Sequence, residues 1–366
     1  MRRPLSPGIS STDAIHGGAS RSSSEMDEED SERQGLPAVR ATELRLAALE
    51  ATEDALVFPS GAAALSTALM SLTRAGDHVV LFRDCHRRTR QFVIAILGRF
   101  GVSHTILPHD DIQALAEVVG PRTRAVVVES LAGPFLTCID LPALVAAARP
   151  IGRPRILVDA TLATPYNVRP FLLGADLVVH DASVYLTGYH DVAAGVVCGP
   201  SSLLGPIRDL RGLLDLHSDP HAVALLDQGL STLALRMDRQ NTSALSLAQS
   251  LERHPTIEQV FYPLLPSHPS HSVARKLLHG GGGVVSFVVK GGREAAARVV
   301  SRCKLVLPGL ASGVETRIEP PALTCYGSLD EEQLTVIGVP PGLVRLSVGL
   351  EEPADLLADL LHALGS

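Results

Sequence analysis

The run Ile156-Leu157-Val158-Asp159-Ala160-Thr161 places three bulky apolar side chains in succession and closes them with a carboxylate. It reads as a short strand buried on both faces, with Asp159 at its C-terminal end. An Ala- and Leu-rich segment before it reads as a helix. Outward in both directions the same unit recurs. Upstream, Val57-Phe58 runs into Ser60-Gly61-Ala62-Ala63-Ala64 and a helix to about Thr73. Asp77–Phe82 reads as a strand, Thr89–Leu97 as a helix, and His104–Leu107 and Arg124–Val128 as further strands. Downstream, Leu177–Val179 and Gly195–Cys198 continue the series. Runs apolar on both sides that alternate with helices predict an α/β fold with a largely parallel sheet covered on both faces.

The two ends of the chain read differently. Gly17–Gln34 is rich in Ser, Glu and Asp without periodic apolar residues, which predicts a solvated or disordered arm. Arg40–Glu50 then carries Leu44, Leu46 and Leu49 on a helical pattern. A long helix is predicted over Leu225–Glu252. After it come Pro263, Pro266 and Pro269, the glycines 280–283, a strand at Val284–Val289 and a last helix at Pro353–Leu364. The expected division is an N-terminal arm over 1–40, partly disordered, a large α/β domain over 41–245 and a smaller α+β domain over 246–366.

Composition removes several classes of function. No run approaches the eighteen apolar residues of a membrane span, and no apolar segment follows Arg2-Arg3 as in a secretory signal. The net charge of −7 comes without a basic stripe, which argues against a nucleic-acid partner. Cys85, Cys138, Cys198, Cys303 and Cys325 are scattered without a CxxC pair. That pattern predicts reduced thiols in a cytoplasm, with neither a disulfide frame nor a metal site. The lysines are Lys276, Lys290 and Lys304, all beyond residue 275.

Two strand ends invite a ligand. Ser60-Gly61-Ala62 opens an Ala-rich helix whose first-turn N–H groups suit a phosphate; an ordinary βα turn explains the same residues. Asp159 sits where open α/β sheets bind ligands and could hold a protonated ring nitrogen, although an N-capping or turn aspartate is common there.

A longer pattern is more specific. The segment Arg169–Gly188, with Gly174-Ala175-Asp176-Leu177-Val178-Val179-His180 and Ala182-Ser183, resembles the cofactor-lysine segment of the cystathionine γ-synthase-like family. These are fold-type-I pyridoxal-phosphate enzymes of cysteine and methionine metabolism. Thr12–Gly18, Gly229–Met237 and Gly342–Glu351 resemble that family's opening, mid-chain and C-terminal signatures, so the likeness runs nearly the whole chain. It implies a fold-type-I large domain with a mixed, mostly parallel sheet and pyridoxal 5'-phosphate as cofactor. It also implies a dimer or tetramer, and a mean hydropathy of +0.21 fits a chain that covers apolar surface in an interface. By the same resemblance, Ser60, Gly61, Ala62 and Ser183 hold the phosphate and Asp159 the pyridinium. His86 stacks where the family has a tyrosine, Arg345 takes the substrate carboxylate, and Arg33 reaches a neighbouring subunit's phosphate. Glu129 and Glu315 fall on acidic positions that the family carries.

The departures from the pattern concentrate in one pocket. Val184 stands in the place of the Schiff-base lysine, so no catalytic residue is intact; the lysine both tethers the cofactor and moves the α-proton. Asp181 stands in the place of a phosphate-contacting serine. A carboxylate and a phosphate charge about 4 Å apart repel by roughly 4 kcal/mol at an effective dielectric near 20. Only protonation, a turn away or an arginine partner would relieve it. Gly133 and Ser31 replace an asparagine and a tyrosine, and the arm before Arg33 is shorter than in the family. His190, one place off the family's histidine, reads as a loop residue with a local hydrogen bond, or else as a substitute base. Scaffold kept and catalyst lost predicts a pseudoenzyme, or a non-catalytic subunit paired with itself or with a lysine-containing paralogue. The alternatives are an enzyme holding pyridoxal or pyridoxamine phosphate without a covalent link, and a less efficient C–S lyase or γ-replacement enzyme. Either would act on a sulfur amino acid.

Overall fold

The computed structural model describes residues 37–108, 111–309, 313–327, 330, 332, 334 and 338–365. Fourteen strands lie in these segments. They are β1 (Asp54–Phe58), β2 (His78–Phe82), β3 (Ser103–Leu107), β4 (Thr123–Glu129), β5 (Leu131–Ala132), β6 (Thr137–Cys138) and β7 (Arg155–Asp159). Then follow β8 (Leu177–Asp181), β9 (Gly195–Gly199), β10 (Ile257–Phe261), β11 (Val284–Val289), β12 (Leu307–Pro308), β13 (Arg317–Glu319) and β14 (Leu343–Ser347).

The first sheet has seven strands in the order β1-β9-β8-β7-β4-β2-β3. Its neighbours are parallel except β9, which runs antiparallel to both β1 and β8. The sheet is therefore mixed and mostly parallel, and the fold is α/β as the alternation predicted. Strands β1 and β9 are buried at every position, as a sheet with helices on both faces requires. Their side chains join Leu69, Leu144, Leu204 and Leu226 from the flanking helices in one apolar cluster.

The second sheet has five strands, β10-β11-β14-β13-β12. One face packs on the helices Leu233–Leu251, Gly292–Arg302 and Pro353–Leu364 through Val285, Phe287, Val344 and Leu346. Alternation along β11 and β14 turns Ser286 and Arg345 to the opposite face, where Glu319 of β13 joins them in register.

Two helical predictions change in detail. The stretch expected as one helix over Leu225–Glu252 is two, Pro220–Leu230 and Leu233–Leu251, interrupted at Ser231-Thr232. Packing supplies the reason: a Cβ on Gly229 would fall 2.3 Å from the Thr187 carbonyl oxygen, so the helix end is pressed against the 186–187 backbone. The helix expected over Thr89–Leu97 is regular only at Arg87–Gln91, then widens into a π turn over Phe92–Ile96 and tightens into a 3₁₀ turn over Leu97–Phe100. Residues 1–36 of the expected arm, with Arg33 and Ser31, lie outside the described residues, and its last four residues already belong to the helix Pro37–Glu50.

Candidate active site

Register brings the candidate residues to one edge of the first sheet. Phe58 ends β1 opposite Gly195, and Gly195 lies opposite Asp181 at the end of β8. Asp159 ends β7 beside Glu129, which ends β4. Three carboxylates, Glu129, Asp159 and Asp181, thus lie along the carboxyl ends of parallel strands, and Asp181 adjoins the Ser60–Gly61 turn. The approach of that turn needs bare backbone. A Cβ on Gly195 would fall 2.1 Å from the Ser60 carbonyl oxygen, and one on Gly61 would fall 2.7 Å from Asp181 Cα and Cβ.

Ser60 caps the helix Gly61–Leu72, its Oγ accepting the Ala63 N–H at 3.1 Å. The other N–H groups of that first turn, including those of Gly61 and Ala62, have no partner within the helix and carry its positive end. Ser183 follows β8, and its Oγ bonds the backbone of Ala194 at 3.3 and 3.4 Å, next to Gly195.

Asp159 accepts the Thr161 N–H at 2.9 Å and the Thr161 hydroxyl at 2.5 Å on the same Oδ1. Burial raises its pKa against those two bonds. Glu129 accepts the backbone N–H of His86, and burial, reinforced by Asp159, pushes its carboxyl well above the ordinary range. Partial burial lowers the His86 ring, although the charges of Asp159 and Asp181 pull it upward. Arg345 reaches the same edge from the second sheet, since its charge acts on His86, Glu129 and Tyr185. Its Nη1 lies 3.9 Å from Glu319 Oε1.

Other candidates lie apart. Glu315 is an exposed partner of Arg317 at 2.9 Å. His190 is exposed, with Nδ1 3.2 Å from the Ser183 carbonyl oxygen, which is the local bond expected of a loop histidine. Val184 packs against the apolar cluster of the first sheet. The lysines are elsewhere: Lys276 lies in the helix His271–Leu277, Lys290 donates to Pro255 O, and Lys304 follows the helix Gly292–Arg302.

Sequence reasoning missed two residues that shape this edge. Thr161 joins two of the carboxylate strands, donating to Asp159 while accepting the Asp181 N–H at 2.8 Å. Arg236 is buried, with its pKa lowered by desolvation, and donates to the carbonyl oxygens of Tyr185 at 2.6 Å, Gly229 at 2.8 Å and Leu186 at 3.3 Å. It fixes the turn that carries Val184. The Asp-x-Thr spacing was a usable signal for Thr161; nothing local announces the partners of Arg236.

A mostly parallel sheet with one reversed strand, a helix N-terminus facing its carboxyl edge and a half-buried aspartate beside it define the scaffold of a fold-type-I pyridoxal-phosphate enzyme. Residues 8–365 match the family model described as Cys/Met metabolism PLP-dependent enzyme, and the chain belongs to that family. It is 38% identical over 335 residues to cystathionine gamma-synthase 1, chloroplastic, of Arabidopsis thaliana, covering 91% of this chain and 59% of that protein. It is 40% identical over 332 residues to the L-methionine gamma-lyase of Pseudomonas putida, covering 90% and 83%. The crystal structure of metB from Corynebacterium glutamicum superposes with a TM-score of 0.86 at 32% identity, covering 91% of this chain and 86% of that one.

Among the described residues no helix is long and apolar enough to cross a membrane. No group of three or more His, Cys, Asp or Glu among them could hold a metal ion.

The family's cofactor asks for a carboxylate at its ring nitrogen, a flat partner for its ring, donors for its phosphate and an amine for its aldehyde. Asp159 offers a carboxylate at the strand end and His86 a flat ring beside it, as a cofactor ring would ask. The helix end that would take the phosphate has the Asp181 carboxylate against Gly61, and the turn after β8 offers Val184, which has no amine. The residues present do not fit a covalently held pyridoxal phosphate.

Proposed function

We propose that this chain is a degenerate member of its family, a pseudoenzyme or non-catalytic subunit of sulfur amino-acid (trans-sulfuration) metabolism. The observation that carries the reading is Val184. Its side chain packs on the core of the first sheet in the turn after β8, where the resemblance places the Schiff-base lysine. In this reading Ser60, Gly61, Ala62, Ser183, Asp159, His86 and Arg345 are the remains of a cofactor and substrate pocket, with Arg33 contributed across a subunit boundary. The chain works as a dimer or tetramer with itself or with a lysine-containing paralogue. The domains divide into 41–245 and 246–366 after an arm over 1–40. Five free cysteines support a reducing cytoplasm.

A second reading rests on Asp159, a half-buried carboxylate kept at the strand end. It would let the chain hold pyridoxal or pyridoxamine phosphate without a covalent link and act as a C–S lyase or γ-replacement transferase on a sulfur amino acid.

One experiment separates the two. Purified protein is mixed with pyridoxal phosphate, treated with borohydride and dialysed, and its spectrum and intact mass are recorded. No fixed and no retained cofactor is expected. Cofactor retained without fixation would favour the second reading. Cofactor fixed by borohydride would mean that another amine serves, and would overturn the first.

A further inference from the structure

Asp181 lies against the first residue of the helix Gly61–Leu72. A Cβ on Gly61 would fall 2.7 Å from Asp181 Cβ and 3.0 Å from its Cγ. The carboxyl group therefore lies near the positive end of that helix, whose first-turn N–H groups have no intrahelical partner. Two bonds fix the residue, one through its backbone and one through its carboxylate. Its N–H donates to Thr161 Oγ1 at 2.8 Å, and its Oδ1 accepts the Ser183 N–H at 3.1 Å. Ser60 Oγ is committed to Ala63. Asp181 thus brings a negative charge to the very turn that would otherwise receive a phosphate.

We propose that Asp181 is an internal replacement for the cofactor phosphate. The chain supplies its own anion to the helix Gly61–Leu72, so this edge folds without a phosphate and turns one away. The inference deepens the pseudoenzyme reading and rests on it, because it names what now holds the helix end. A phosphate-binding helix N-terminus left empty loses a stabilising anion; an aspartate fixed beside it restores part of that interaction. The same charge repels a phosphate that arrives later.

Thermal unfolding of the full chain tests this, with inorganic phosphate as the probe and chloride at equal ionic strength as the control. Asp181→Asn keeps the shape and the Oδ1 acceptor while removing the charge; Asp181→Ser removes both. Without phosphate, each variant is expected to melt about 1–3 °C below the wild type, the size of one helix-end charge. Phosphate should then raise the melting temperature of both variants and leave the wild type where chloride leaves it. If Asp181→Ser fails to fold, the isosteric Asp181→Asn answers the same question. Equal stability of Asp181→Asn and wild type would overturn the proposal. So would a phosphate response in the wild type as large as in the variants, or none in either variant. Failure of the underlying reading is seen separately, as cofactor fixed to the wild type by borohydride.

Discussion

His180 Nε2 lies 2.6 Å from Glu50 Oε1, and each side chain is 1% exposed. The pair ties the last residue of the helix Pro37–Glu50 to β8, one residue before Asp181. Among the described residues Glu50 Oε2 and His180 Nδ1 have no hydrogen-bond partner, so the pair has little to fall back on. Removing one member leaves the other buried and unmatched. Glu50→Ala is expected to cost about 3 kcal/mol in urea unfolding. A loss under about 0.5 kcal/mol, the size of an ordinary surface change, would show that the contact contributes little.

Glu129 should behave in the opposite sense. Burial and the neighbouring Asp159 raise its folded pKa above the ordinary 4.5, so the folded state holds that proton more tightly than the unfolded chain. Below the unfolded value both states are protonated and the site costs nothing. As pH climbs toward the folded value the cost grows, and above it the cost is complete. Glu129→Gln keeps an acceptor for the His86 N–H and should stabilise the protein at neutral pH by about 1 kcal/mol. The gain should fade in melts run below pH 4.5. A gain that persists unchanged in acid would remove the charge from the explanation.

Asp359 is the counter-case. Burial pushes its carboxyl up, but the N–H groups of Val306, Lys304 and Leu305 outweigh it and leave the group below the ordinary 3.8. Its contribution is present above that value and is lost as pH falls through the lower folded pKa. Asp359→Asn should cost about 2 kcal/mol at pH 7, where it trades a charged acceptor for a neutral one. The deficit should shrink once the medium is acidic enough to protonate the wild-type aspartate. A deficit independent of pH would point to packing instead.

Restoring the amine should be insufficient by itself. Val184→Lys is expected to leave pyridoxal phosphate unfixed by borohydride, because Asp181 still opposes the phosphate. Val184→Lys with Asp181→Ser should fix more. Intact-mass measurement after reduction reads both, and equal fixation by the two variants would clear Asp181 of any part in exclusion.

Much of the large sheet could be read from the chain because its strands are continuous apolar runs. Val79–Phe82, Ala125–Val128 and Ile156–Val158 leave no polar face, and only a doubly covered sheet accommodates that. The strand ends followed, and with them Asp159 and the Ser60 turn. Other features depend on partners distant in sequence. The Ser231-Thr232 break carries no Pro and answers to Gly229 meeting Thr187. Arg236 looks like one more polar residue on a helix until the carbonyls of Tyr185, Leu186 and Gly229 close around it. Strands β12 and β13 are two and three residues long, too short to show a period.

The reversed strand β9 also sets an order of assembly. Strand β1 lies at the edge of its sheet and pairs there with β9 alone, from Asp54 with Gly199 to Phe58 with Gly195. During synthesis it emerges first among the described strands, apolar along Ala55–Phe58, and must wait until most of the first sheet's chain has been made. Until then the helix Pro37–Glu50 provides its local cover. The Phe58–Gly195–Asp181 edge is therefore expected to be the last part of the sheet to close. Pulse-labelling hydrogen exchange during refolding should find the β1 amides protected after those of β4 and β7. In the interval the unpaired strand is a site where chaperones, or another copy of the chain, can intervene.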